Sequence, residues 1–122
     1  MARHLSAGLL TLSLFLMAAT GAGAHAFLDR AEPRVGGKVH TPPAQVTLWF
    51  TERLEPAYSR VKVVDAAGRQ VDKADGAVDE ADRRILRASL TALAPGKYRV
   101  IWRVLSVDTH VTEGDFSFSV VP

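Results

Sequence analysis

The sequence predicts an all-β chain, a single Greek-key β-sandwich or barrel of about seven short strands. Three observations carry this. Apolar residues recur with period two rather than 3.6. Turn signals interrupt that alternation at short intervals. The stretch that follows an N-terminal leader, residues 25–122, has the ordinary size of one sandwich.

The leader is read from residues 1–24. Arg3, with His4, gives a positive start, residues 9–19 form a nearly unbroken apolar run, and Ala22-Gly23-Ala24 supplies the small-x-small pattern of a signal peptidase site. The run is short for a membrane span, which takes about 20 apolar residues. The chain is therefore expected to be exported to the periplasm and cleaved after Ala24. Both methionines, Met1 and Met17, leave with the leader, and His25 becomes the first residue. No further apolar span follows, so no membrane insertion is expected of residues 25–122, which form one domain.

The strands follow in order. A first one is expected around residues 26–31, ending at Pro33. Val46, Leu48 and Phe50 alternate with Thr47, Trp49 and Thr51. Val61, Val63 and Val71 flank a turn at Ala66-Ala67-Gly68-Arg69, a hairpin signal. The polar segment 72–84 reads as a solvated loop. Ile85, Arg87 and Ser89 oppose Leu86, Ala88 and Leu90. After the turn Pro95-Gly96, Tyr98, Val100, Trp102 and Val104 face one way and Arg99, Ile101, Arg103 and Leu105 the other. Phe116, Phe118 and Val120 close the chain, and these aromatics with Trp102 are expected in the core between sheets.

Composition removes several function classes. Fifteen Lys and Arg against thirteen Asp and Glu leave a formal charge of +2, without the basic excess of a nucleic-acid groove. The absence of cysteine excludes disulfide scaffolds, zinc ribbons, iron–sulfur ligation and thiol catalysis.

The chemistry gathers on histidine. Residues 25–122 contain three: His25, His40 and His110. His40 sits beside Thr41-Pro42-Pro43 and reads as a loop residue. As an N-terminal residue, His25 offers its α-amine and ring Nδ1 to one metal ion, a chelate that exists only after cleavage. In Ser106-Val107-Asp108-Thr109-His110, Asp108 and His110 are two apart. If extended, the segment points both side chains the same way with Cα atoms about 6.6 Å apart. The alternative is a loop satisfied by local Asp and Thr hydrogen bonds. Together the set is one amine, two imidazoles and one carboxylate. Nitrogen-rich tetragonal ligation suits Cu(II), whereas Cu(I) prefers the thiolate and thioether donors that residues 25–122 lack.

On these residues the chain resembles the CopC-like periplasmic copper-binding proteins. The matching stretches are His25-Ala26-Phe27-Leu28, Glu32-Pro33, Leu48-Trp49-Phe50-Thr51-Glu52, the run from Pro95 to Arg103, Ser106-Val107-Asp108-Thr109-His110, and the closing Gly114 to Val120. The resemblance implies a cupredoxin-like or immunoglobulin-like sandwich and one Cu(II) per chain on His25, Asp108 and His110. It implies an outer-sphere or weak axial role for Glu52. Some relatives also hold Cu(I) in a Met-rich loop; the corresponding hairpin here, near residues 64–75, has no Met, so no Cu(I) site is expected. A monomeric copper chaperone or buffer in copper homeostasis and resistance is expected, with a CopD-type inner-membrane transporter as partner. It is not expected to be an enzyme.

Two rivals stand beside this. One is a small copper oxidase, since lytic polysaccharide monooxygenases also begin with a chelating His; about 98 residues leave little room for an extended substrate face, and a coordinating Asp108 takes copper positions that oxygen needs. The other is a metal-free immunoglobulin-like binding module, which would be indifferent to an extra residue before His25.

Overall fold

The computed structural model describes residues 25–122, so the leader read over residues 1–24 lies outside the described residues. Among the described residues eight strands form two four-stranded sheets. One sheet has the order β1 (Leu28–Glu32), β3 (Gln45–Phe50), β6 (Ile85–Ser89), β5 (Ala77–Val78). The other has β2 (Lys38–Val39), β8 (Val111–Val120), β7 (Gly96–Leu105), β4 (Arg60–Val64). Neighbours pair antiparallel, except β2, which runs parallel to β8. The described residues contain no α-helix, only a 3-10 turn at Pro56–Tyr58, and no helix long and apolar enough to cross a membrane.

The alternation read from the sequence is the alternation of burial. In β7, Tyr98, Val100, Trp102 and Val104 are buried, while Arg99 and Arg103 are exposed. In β8, Phe116, Phe118 and Val120 are buried against them. Val46, Leu48 and Phe50 of β3 and Leu86 and Ala88 of β6 supply the opposite wall. Each fully buried large side chain here, such as Phe118 or Leu48, contributes roughly 1.5–3 kcal/mol. Trp102 meets Phe50 edge-on, ring centroids 5.1 Å apart, which joins the two sheets. On the outer side of β3, the Arg30 guanidinium lies 3.8 Å from the Trp49 ring centroid and covers it.

The differences from the sequence reading have local causes. The first strand spans Leu28–Glu32 rather than 26–31, because residues 25–27 are drawn into the site described below. The strand count is eight rather than about seven, because β2 and β5 have two residues each and show no periodicity. The supposed loop 72–84 contains β5, an edge strand on β6. The turn 65–69 forms as read, with Gly68 at φ +81°. Its second arm is carried only by the isolated bridges Val64 to Gln70 and Asp72 to Leu90.

Gly114 is fixed by close approach. It pairs across the ladder with Trp102, and a Cβ there would stand 2.6 Å from Trp102 Cζ2. Gly114→Ala is expected to destabilise the fold by about 1–3 kcal/mol through overpacking, read as a lower urea midpoint. An unchanged midpoint would mean that the indole has room to retreat.

Candidate metal centre

Three segments meet at one end of the sandwich: residues 25–27 before β1, residues 51–55 after β3, and residues 106–110 between β7 and β8.

The last of these is a hairpin loop. Leu105 pairs with Val111, Ser106 N donates to His110 O at 3.0 Å, and Thr109 N donates to Ser106 O at 2.9 Å. Thr109 sits at φ +73°. This is a three-residue hairpin closed by a residue in the left-handed region. The segment is therefore not extended, and Asp108 and His110 converge through the turn instead. Asp108 Oδ2 lies 3.2 Å from His110 Nδ1. A β-branched residue at positive φ is unfavourable by roughly 1–3 kcal/mol, a strain characteristic of functional loops.

Ser106 organises this loop. It is fully buried; its hydroxyl donates to Asp108 Oδ1 and accepts from His110 N at 3.3 Å. That hydroxyl is the first cause holding the Asp108 carboxyl below the usual aspartate range, with hydrogen bonding and charge from His110 adding to it against some desolvation. Ser106→Ala is expected to return Asp108 toward the ordinary range, because the hydroxyl that holds its carboxylate is removed. The sign follows from linkage. A depressed carboxyl stabilises the fold above its unfolded pKa, and that contribution is lost as pH falls through the folded pKa. The variant should therefore lose less of its stability in acid. Carboxyl carbon-13 NMR titration tests this, and an unmoved Asp108 would contradict it.

Residues 25–27 are strapped onto the same end. Thr51 Oγ1 accepts from Phe27 N at 3.0 Å and lies 3.3 Å from His25 O, to which it donates. Thr51 N donates to Phe27 O at 2.9 Å, and Thr112 Oγ1 donates to Ala26 O at 2.6 Å. Ala26 is fully buried. Just beyond, the register of β1 against β3 shifts between Leu28 and Arg30, a bulge of the kind that re-aims a chain beside a site. Thr51 and Thr112 are not legible as clamps from local pattern, since their partners lie 24 and 86 residues away. An apolar small residue after His25 was the only available hint of a buried anchor.

The strap sets the His25 ring 4.3 Å, centroid to centroid, from the His110 ring. The His25 and His110 rings are thus neighbours, and Asp108 lies beside His110. Among the described residues no three His, Asp or Glu side chains form a ready-made metal shell, because the Asp108 oxygens are turned onto Ser106 and His110. The donor chemistry nevertheless fits a divalent ion. Two donors bound cis to one such ion at about 2.0–2.2 Å stand about 3 Å apart, close to the separation of Asp108 Oδ2 and His110 Nδ1. Side-chain exposures of 45% for His110 and 31% for Asp108 leave the position open to solvent.

Glu52 lies half-buried in the adjoining turn and makes no hydrogen bond or ion pair among the described residues. That turn is tied to the hairpin by Val107 N donating to Arg53 O at 3.0 Å and Glu55 N to Leu105 O at 2.8 Å. His40 lies apart from the cluster, with Nδ1 3.3 Å from Pro122 O near the chain end.

Residues 28–121 match the protein family described as CopC domain. The chain is 35% identical over 98 residues to Protein YobA of Escherichia coli strain K12, covering 80% of this chain and 79% of that one. It is 31% identical over 116 residues to copper resistance protein C of Xanthomonas campestris pv. juglandis, covering 85% and 86%. The crystal structure of CopC from Methylosinus trichosporium OB3b is similar with a TM-score of 0.72 and 37% identity, covering 80% of this chain and 95% of that one.

Proposed function

The chain belongs to the CopC family, and from that premise we propose that it is an exported copper-binding protein, a chaperone or buffer that holds one Cu(II) per chain. The observation that carries this is the meeting of the His25 and His110 rings at 4.3 Å with Asp108 alongside. The ligands are the α-amine and Nδ1 of His25, the imidazole of His110 and the carboxylate of Asp108, with Glu52 as an outer-sphere or weak axial group. Nitrogen-dominated ligation favours Cu(II) by softness and by the Irving–Williams order. Residues 25–122 hold neither Met nor Cys, so the soft donors for a Cu(I) site are missing.

Each group has a separate task. Export and cleavage after Ala24 create the amine. The hydroxyls of Thr51 and Thr112 hold residues 25–27 against the hairpin, so the chelate does not swing free. Ser106 holds the Asp108 carboxylate through its hydroxyl, as outer-sphere partners do at metal sites. The protein binds and passes on its ion in the periplasm as a monomer, and family resemblance supports a CopD-type membrane transporter as the receiving protein. It performs no catalysis.

Titration of protein whose first residue is His25, with a chelator competing for Cu(II), tests the reading. Saturation at one equivalent is expected, weakening in acid as the amine and imidazoles take up protons. No retained copper at neutral pH would overturn it.

A further inference from the structure

We propose that the outer face of the β4–β7 pair docks an extended, acidic segment of a protein partner. β4 and β7 pair so that Arg60 stands directly across from Arg103, Lys62 from Ile101 and Val64 from Arg99. Arg60, Lys62, Arg99 and Arg103 are all exposed. Arg99 has a carboxylate partner, Asp115, at 2.7 Å. Among the described residues Arg60, Lys62 and Arg103 have none, although Glu113 is the other cross-strand neighbour of Arg103. Like charges directly opposed weaken a ladder, and an outward position has no packing need for them. An arrangement that costs stability and leaves two guanidiniums free is suited to carboxylates, which arginine binds in bidentate fashion.

The shape of the face selects the occupant. Two adjoining grooves of about 640 and 260 Å³ share Arg60 and Arg103. The smaller is completed by Tyr58, Leu105 and Val111, and Tyr58 and Val111 are 65% and 50% exposed. Glu113 and Asp115 on β8 line the larger groove and confine the free positive charge to one strand pair. A strip so narrow, ending in an apolar seat, fits an extended peptide with alternating carboxylates and an apolar anchor. It does not fit the broad phosphate field of a bilayer or a nucleic acid. The apolar seat ends at Val111, next to His110, so a seated partner lies beside the proposed copper ligands. None of the residues of this surface is a proposed copper ligand, so docking does not require the metal.

The test uses metal-free protein and a fluorescein-labelled peptide with Glu at alternate positions, Leu at the last of those positions and Ser between them, so that one face carries the carboxylates and the apolar anchor. A matched peptide with Lys for Glu and phosphatidylglycerol vesicles serve as competing probes. The Glu peptide should bind, less tightly as salt rises, and the Lys peptide and vesicles should not. Arg60→Glu, Arg103→Glu and Val111→Asp should each lower the affinity by about tenfold or more. Arg60→Gln should also weaken binding while raising Tm by about 1–2 °C, since it removes the repulsion with Arg103. The proposal is overturned if the Glu peptide does not bind, if the charge-reversed variants bind it unchanged, if vesicles bind in its place, or if Arg60→Gln lowers Tm as a structural arginine would.

Discussion

One added residue before His25 is expected to lower Cu(II) affinity by about a hundredfold or more, beyond the 10–100-fold typical for loss of an outer-sphere partner. Extension converts the α-amine into an amide, whose nitrogen lone pair is delocalised and binds Cu(II) only at the cost of losing its proton. The chelate ring opens while the imidazole of His25 remains. The fold should be unaffected, because Ala26, Thr51 and Thr112 anchor the segment after His25. Isothermal or competitive titration of two proteins, one beginning at His25 and one carrying a single added Gly, measures the effect. Equal affinities would show that the amine is not a ligand, and would favour a binding module indifferent to its terminus.

His110→Ala is expected to lower Cu(II) affinity by about a hundredfold, and Asp108→Ala by about tenfold. The first removes one of two imidazoles. The second removes a charge that neutralises the dication, but water can supply an oxygen in its place. Neither should alter stability by more than roughly 1 kcal/mol, since both side chains are partly solvated. In Asp108→Ala the buried Ser106 hydroxyl still has His110 O as an acceptor at 3.2 Å, so it is not left unpaired. Competitive copper titration with urea denaturation of each variant checks both halves. Equal and negligible losses of affinity would remove the hairpin from the site.

The fold was legible where large apolar side chains alternate over many residues. Tyr98, Val100, Trp102 and Val104 on β7, and Phe116, Phe118 and Val120 on β8, are buried as their period implies. Lys38–Val39 and Ala77–Val78 were not legible, because two residues have no period and their strands exist only through pairing with β8 and β6. At the site, the residue types pointed to His25, Asp108 and His110, and the chain brings them together. The means was hidden. The residues allowed either an extended segment or a loop held by local hydrogen bonds, and it is a loop that turns through Thr109, a β-branched residue that gives no turn signal. Ser106 reads as an ordinary polar residue until its hydroxyl is seen between Asp108 and His110. Thr51 and Thr112 act on backbone atoms far away in sequence, and such contacts leave no local pattern.

Electron paramagnetic resonance of protein beginning at His25, loaded with one equivalent of Cu(II), reads the ligands of the copper ion themselves. A single tetragonal species is expected, with nitrogen couplings from three nitrogens, the amine and both imidazoles, and loss of the amine contribution when one residue is added before His25. A spectrum without nitrogen couplings, or one identical in the extended protein, would contradict it.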